Sequence, residues 1–201
     1  KGDDLKLTGT AQGDPNEVKV WIFGKNKQML DQSATVEDDG SFEYELKGAQ
    51  TKDLSAGQYF VVIQHPMMNG DFDIDYDKTN YPPTENWING TPGSGFTAVK
   101  LGGLQASDAA NALIKALDSP NIDDTYVKLT FVVEEPQILI DPIGDVPAGS
   151  TFTISGTTNL AVGDTLNVEV TSAAFTPTEK GEGSGFASVA RTTEVKAGDG
   201  A

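Results

Sequence analysis

The chain has 201 residues, of which 30 are Asp or Glu and 14 are Lys or Arg, giving a formal charge of −16. That charge repels phosphate backbones and anionic headgroups, and no apolar run approaches the roughly 20 residues of a membrane span, so neither nucleic acid nor direct membrane insertion is expected. The absence of cysteine excludes disulfides, thiol catalysis and Cys-ligated metals but leaves the compartment open. No signal peptide is read ahead of Lys1, so a mature or trimmed product is expected.

Leu5 and Leu7 alternate into Gly9-Thr10, the turn-rich Gly13-Asp14-Pro15-Asn16 follows, and Val18, Val20 and Ile22 then face opposite Lys19, Trp21 and Phe23. This predicts two strands about a polar loop. Asp38-Asp39-Gly40 predicts a tight turn, after which Phe42, Tyr44 and Leu46 alternate with Glu43, Glu45 and Lys47 as a strand with one wet face. The continuous apolar run from Tyr59 to Ile63 suits a strand covered on both faces. From His65 to Gly103 the periodicity dissolves into Asp, Asn, Pro and Gly, an insertion long enough to be functional or an assembly surface.

A helix is predicted near 107–118, with Ser107 as N-cap, Asp108 in the first turn, Ala110, Leu113, Ile114 and Leu117 on one face, and Ser119-Pro120 as the stop. Tyr126 to Val133 places Val127, Leu129, Phe131 and Val133 on one side, the half-buried pattern of a strand closing a first unit. Pro136, Pro142 and Pro147 then predict a stiff joint over 136–147, because proline cannot donate to a β ladder. Phe152 and Ile154 alternate with polar neighbours up to Gly156 and begin a second unit over 148–201.

Three stretches repeat between the units: Leu7-Thr8-Gly9-Thr10 with Ile154-Ser155-Gly156-Thr157, Val18-Lys19-Val20 with Leu166-Asn167-Val168, and Thr35-Val36-Glu37-Asp38-Asp39-Gly40 with Glu194-Val195-Lys196-Ala197-Gly198-Asp199-Gly200. The expected fold is therefore mainly β: two immunoglobulin-like antiparallel β-sandwich units in tandem, 1–135 and 148–201, with one short helix in the first. The sequence stops where the second unit should supply two further strands, so that unit is expected to be truncated. Polypeptide beyond Ala201 or a strand from a neighbouring subunit would cover the open edge.

The chemistry-bearing candidates lie in the insertion. His65 has no second His and no Cys to complete a metal site or a triad, so a structural role is expected. In Asp71-Phe72-Asp73-Ile74-Asp75-Tyr76-Asp77 a period of two puts four carboxylates on one strand face, a candidate site for Ca²⁺ or another hard cation, with a solvated acidic face as the alternative. An EF-hand register from Asp71 fails, with Tyr76 where Gly is needed and Pro82 where the bidentate Glu should fall. No two of the carboxylates stand out as a glycosidase pair, and Gly181-Glu182-Gly183-Ser184-Gly185 lacks the Lys-Ser/Thr ending of a phosphate loop. An enzyme is not expected. Asn89-Gly90-Thr91 is a glycosylation sequon followed by Pro92, and Tyr76, Tyr81 and Trp87 offer stacking faces for a glycan.

Several stretches resemble the large S-layer-type surface glycoproteins of methanogenic archaea: Val18-Lys19-Val20-Trp21-Ile22-Phe23-Gly24, Gln64-His65-Pro66, Ala109-Ala110-Asn111-Ala112-Leu113 with Asp123-Asp124-Thr125-Tyr126, and Asp141-Pro142-Ile143-Gly144-Asp145. The resemblance implies exported β-sandwich modules, glycosylation and lateral assembly of identical subunits into a coat, and supplies no catalytic residues. A structural cell-surface protein is the expected function, and an extracellular ligand- or glycan-binding adhesin module is the alternative.

Overall fold

The computed structural model describes residues 2–82, 84–147, 149–172 and 188–198. The chain is mainly β, and every strand pairing among the described residues is antiparallel. It divides into two compact units, Lys1–Glu135 and Pro136–Ala201. In chain order the first contains β1 (Leu5–Thr10), β2 (Glu17–Phe23), β3 (Gln28–Thr35), β4 (Ser41–Leu46), α1 (Gly48–Lys52), β5 (Gly57–His65), β6 (Ile74–Tyr76), β7 (Trp87–Gly90), β8 (Val99–Lys100), α2 (Ala106–Leu117) and β9 (Thr125–Val133). The second contains β10 (Ile138–Ile140), β11 (Gly156–Thr158), β12 (Thr165–Thr171) and β13 (Ser188–Glu194).

Unit one is organised around a four-stranded sheet of order β3-β2-β5-β9. Alternation along β2 and β5 sends Val18, Val20, Ile22, Tyr59 and Val61 to one face, where they pack on Phe42 and Leu46 of the β1-β4 sheet and on Leu54. It sends Trp21, Phe23 and Val62 to the other face, against Ala109, Ala110, Leu113, Ala116 and Leu117 of α2. Both sides of β2 are thus buried, whereas on β4 the charged Glu43 stays exposed. Each fully buried large apolar side chain contributes roughly 1.5–3 kcal/mol, so the sheet covered on both faces holds most of the stability of this unit.

The 65–103 insertion is more ordered than its composition predicts. It forms a three-stranded sheet, β6-β7-β8, and buries Ile74, Ile88 and Leu101 completely against α2 and the central sheet. Strands of three, four and two residues are too short to show a period, which is why the sequence reads as loop. β3 is hidden differently: Asp31 adopts φ +54°, and the β2-β3 register shifts between Val20 and Ile22, breaking the alternation.

The α2 helix starts one residue before the expected position and ends one before it. Gln105 occupies the N-cap without a side-chain cap bond, so Ser107 lies inside the first turn beside Asp108, and Asp118 follows as C-cap. Buried positions 109, 110, 113, 116 and 117 form the expected apolar stripe, with Ile114 at its margin. β9 matches its predicted span, but its apolar side divides in two. Phe131 and Val133 join the core, whereas Val127 and Leu129 are 57% and 42% exposed because the two-stranded β1-β4 layer does not cover them.

In unit two, residues 138–140, expected within a spacer, form β10 and pair with β11. The strand expected to stop at Gly156 begins there instead. A Cβ on Gly156 would lie 2.3 Å from the Leu139 carbonyl oxygen, so the close approach of these backbones requires glycine. β12 pairs with β13 as β2 pairs with β3, matching the repeat. The Gly181–Gly185 loop, Asp199-Gly200 and the expected open end at Ala201 lie outside the described residues.

Candidate functional site

Three carboxylates converge at one end of the central sheet. Asp73 immediately precedes β6, and Asp123 and Asp124 immediately precede β9, so the chain brings together groups about fifty residues apart as the insertion returns to the sheet. One oxygen from each lies within 4.8 Å of one from each of the others. Asp123 is exposed, Asp73 half-buried and Asp124 buried.

Asp124 is fixed from two directions. Its Oδ2 accepts the Asp73 N–H at 2.9 Å, the Ile74 N–H at 3.3 Å and the Gln64 Nε2 amide at 2.6 Å. Gln64 is itself buried on β5, donating also to the Ile74 carbonyl and accepting the Trp21 indole N–H at 2.8 Å. The carboxylate is therefore held by a buried polar chain that starts inside the core. Asp73 is held by its neighbours too: Oδ2 accepts the Asp123 N–H at 3.0 Å and Oδ1 the Thr91 hydroxyl at 3.2 Å. Asp123 Oδ1 accepts the Asn69 side-chain amide at 2.8 Å, and Asn69 Oδ1 takes the Asp71 N–H.

Electrostatics at this point are unfavourable to three bare anions. Burial pushes the Asp124 carboxyl above its ordinary value, against the pull of Gln64 and the Asp73 and Ile74 amides, and the Asp73 charge adds to the rise. Burial, with the adjacent Asp73 carboxylate, raises Asp123 as well. Such a group asks for protons or for a cation. Asp73 also lines an open polar cleft of about 650 Å³ with Asn69, Asp71, Asp75 and Thr91, which gives solvent a path to it.

Of the four carboxylates predicted to share one face, Asp71, Asp73 and Asp75 line the same cleft and Asp77 does not, because β6 spans only Ile74–Tyr76 and the period of two does not extend beyond it. Only Asp73 enters the cluster. Asp75 pairs with the buried Lys19 ammonium, which also meets Asp31 at 2.7 Å. Asp77 closes a turn, its Oδ1 accepting the Thr79 and Asn80 N–H groups and its Oδ2 the Asn80 side-chain amide. Asp71 sits on the exposed loop after Asn69.

Asn89 lies in β7, half-buried, with Nδ2 directed to Asp77 Oδ2 at 3.4 Å. Tyr81 and Trp87, both half-buried, stack on one another at 4.1 Å and 14°, so one face of each ring is already covered, while Tyr76 stands apart, with Lys78 over its ring and its hydroxyl on Asn86. His65 is a loop strut: Nδ1 accepts the Met67 N–H and Nε2 donates to the Gln12 carbonyl. The contribution of Asp123 and Asp124 escapes sequence pattern, since their only local sign is a pair of adjacent acids ahead of a strand. No protein-family model, curated protein or solved structure matches the chain, and no described helix is long and apolar enough to cross a membrane.

Proposed function

We propose that the chain is a structural cell-surface protein of S-layer or sheath type, whose β units assemble laterally with identical copies into an envelope coat. The observation that carries this reading is an open apolar trough of about 550 Å³ in unit one, between β1 and β9. Thr8, Gly9 and Thr10 form one wall, Val127 and Leu129 the other, and Val18, Phe42 and Ile63 lie between them. Among the described residues β1 pairs only with β4 and β9 only with β5, so both walls carry unpaired backbone groups. Free strand edges beside exposed apolar side chains are templates for another extended segment, which would gain main-chain hydrogen bonds and bury Val127 and Leu129 together. The acidic surface supports the same reading, since a charge of −16 keeps subunits dispersed until salt screens them.

Immuno-electron microscopy of cells that make the chain tests this: label confined to an ordered array supports a coat. Leu129→Glu, which places a charge in the trough, should leave the subunit folded and remove the array. The stacked Tyr81-Trp87 pair favours a second reading, an adhesin module that holds a glycan on the remaining ring faces. Scattered label, with retention of the isolated chain on a glycan column, would replace the coat by that reading.

A further inference from the structure

We infer that Asp73, Asp123 and Asp124 bind a hard divalent cation, Ca²⁺ in preference to Mg²⁺, which fastens the 65–103 insertion to the central sheet. The inference stands on unit one alone and does not depend on assembly. A cluster of acids is not in itself a cation site, and the deciding observation is a single atom. Asp124 is only 7% exposed, and its Oδ1, fully buried, has no hydrogen-bond partner among the described residues.

Asp31 Oδ1 is the instructive contrast. It too is buried and accepts no hydrogen bond, but the Lys19 ammonium lies 2.7 Å away and neutralises it. No lysine or arginine among the described residues pairs with Asp73, Asp123 or Asp124. An ionised oxygen buried without donor or counter-charge is costly. Every donor that the fold offers to Asp124 goes to Oδ2, leaving Oδ1 for something the chain itself does not provide.

The donor set selects the kind of ion. The group holds three carboxylates and neither histidine nor cysteine, which suits oxygen-seeking Ca²⁺ or Mg²⁺ over zinc or copper. Carboxylates from two separate loops, with one exposed member at Asp123, also suit the irregular and partly hydrated shell that Ca²⁺ accepts. The path to the ion is the polar cleft beside Asp73.

The test is calorimetric titration of the chelator-treated chain with CaCl₂, alongside thermal unfolding in CaCl₂, MgCl₂ and NaCl at matched ionic strength. A saturable single-site isotherm with Kd of about 10⁻⁵–10⁻³ M is expected, together with a rise in Tm that neither Mg²⁺ nor Na⁺ reproduces. Asp124→Asn risks the fold through Gln64, so the exposed Asp123→Asn is the decisive variant. It should keep the far-UV spectrum and weaken Ca²⁺ binding by about tenfold or more, while Asp38→Asn, in the exposed turn before Gly40 and away from the cleft, should leave Kd within about twofold of the parent. Absence of saturable heat, an equal Tm rise from matched NaCl, or unchanged affinity in Asp123→Asn would each overturn the site.

Discussion

The two units share one strand pairing, β2-β3 in the first and β12-β13 in the second, to different effect. In unit one the alternation of β2 and β5 is answered on both faces, by β1-β4 on one side and by α2 with the insertion on the other, so Trp21, Phe23, Tyr59 and Val62 are all completely buried. In unit two β12 alternates just as regularly, Leu166, Val168 and Val170 against Asn167, Glu169 and Thr171, yet among the described residues only Val195 is buried. Ile138, Leu139, Ile140 and Phe152 are each between 46% and 65% exposed. The difference teaches that alternation specifies a strand and a face, whereas burial requires a second layer to close on that face.

The largest expected effect tests this contrast directly. Trp21→Ala opens a cavity under α2 and orphans Gln64 Oε1, and should cost unit one about 3–5 kcal/mol, while Val168→Ala in unit two should cost about 1 kcal/mol or less. Urea unfolding followed by circular dichroism measures both. Equal losses would mean that unit two has a core of its own, and the contrast would break.

A smaller loss sharpens the picture inside unit one. Lys19 is a buried cation between Asp31 and Asp75, with its ammonium 4.6 Å from the centre of the Phe72 ring. Lys19→Met keeps the volume and removes the charge, leaving Asp31 only the exposed Lys78 ammonium, 2.8 Å from Oδ2, and should cost about 3 kcal/mol in the same urea series. A neutral result would show that the insertion is not tied to β2 through this lysine.

The smallest effect is local and set by pH. The Asn80 backbone N–H, then the Asn80 side chain and Thr79, hold the Asp77 carboxyl at about 2, below its ordinary 3.8. Because the folded value is the lower one, the stability this turn contributes is present above pH 3.8 and is lost as pH falls through about 2. The Thr79 and Asn80 amide resonances should titrate across that interval, and Asp77→Asn should abolish the change without moving the unfolding of unit two. Titration near the ordinary carboxylate value would show that the turn does not hold Asp77.

What the sequence alone reveals is limited by the range of the interactions involved. β2, β4, β5, β9 and α2 are readable because a period of two or 3.6 is a property of the local backbone and needs no knowledge of what packs upon it. By itself the sequence determined a mainly β chain and the place of its long helix. β6, β7 and β8 are too short to have a period, so only the partners that bury Ile74, Ile88 and Leu101 make them strands. The same limit governs the carboxylates: spacing along 71–77 describes one extended segment, but Asp75 is neutralised by Lys19 and Asp77 is taken up by the Asn80 turn. The partners Asp73 finds in Asp123 and Asp124 lie across the insertion and α2. Tertiary structure alone decided that cluster and the exposure of Val127 and Leu129, because both depend on which distant segment arrives at a given face and which does not.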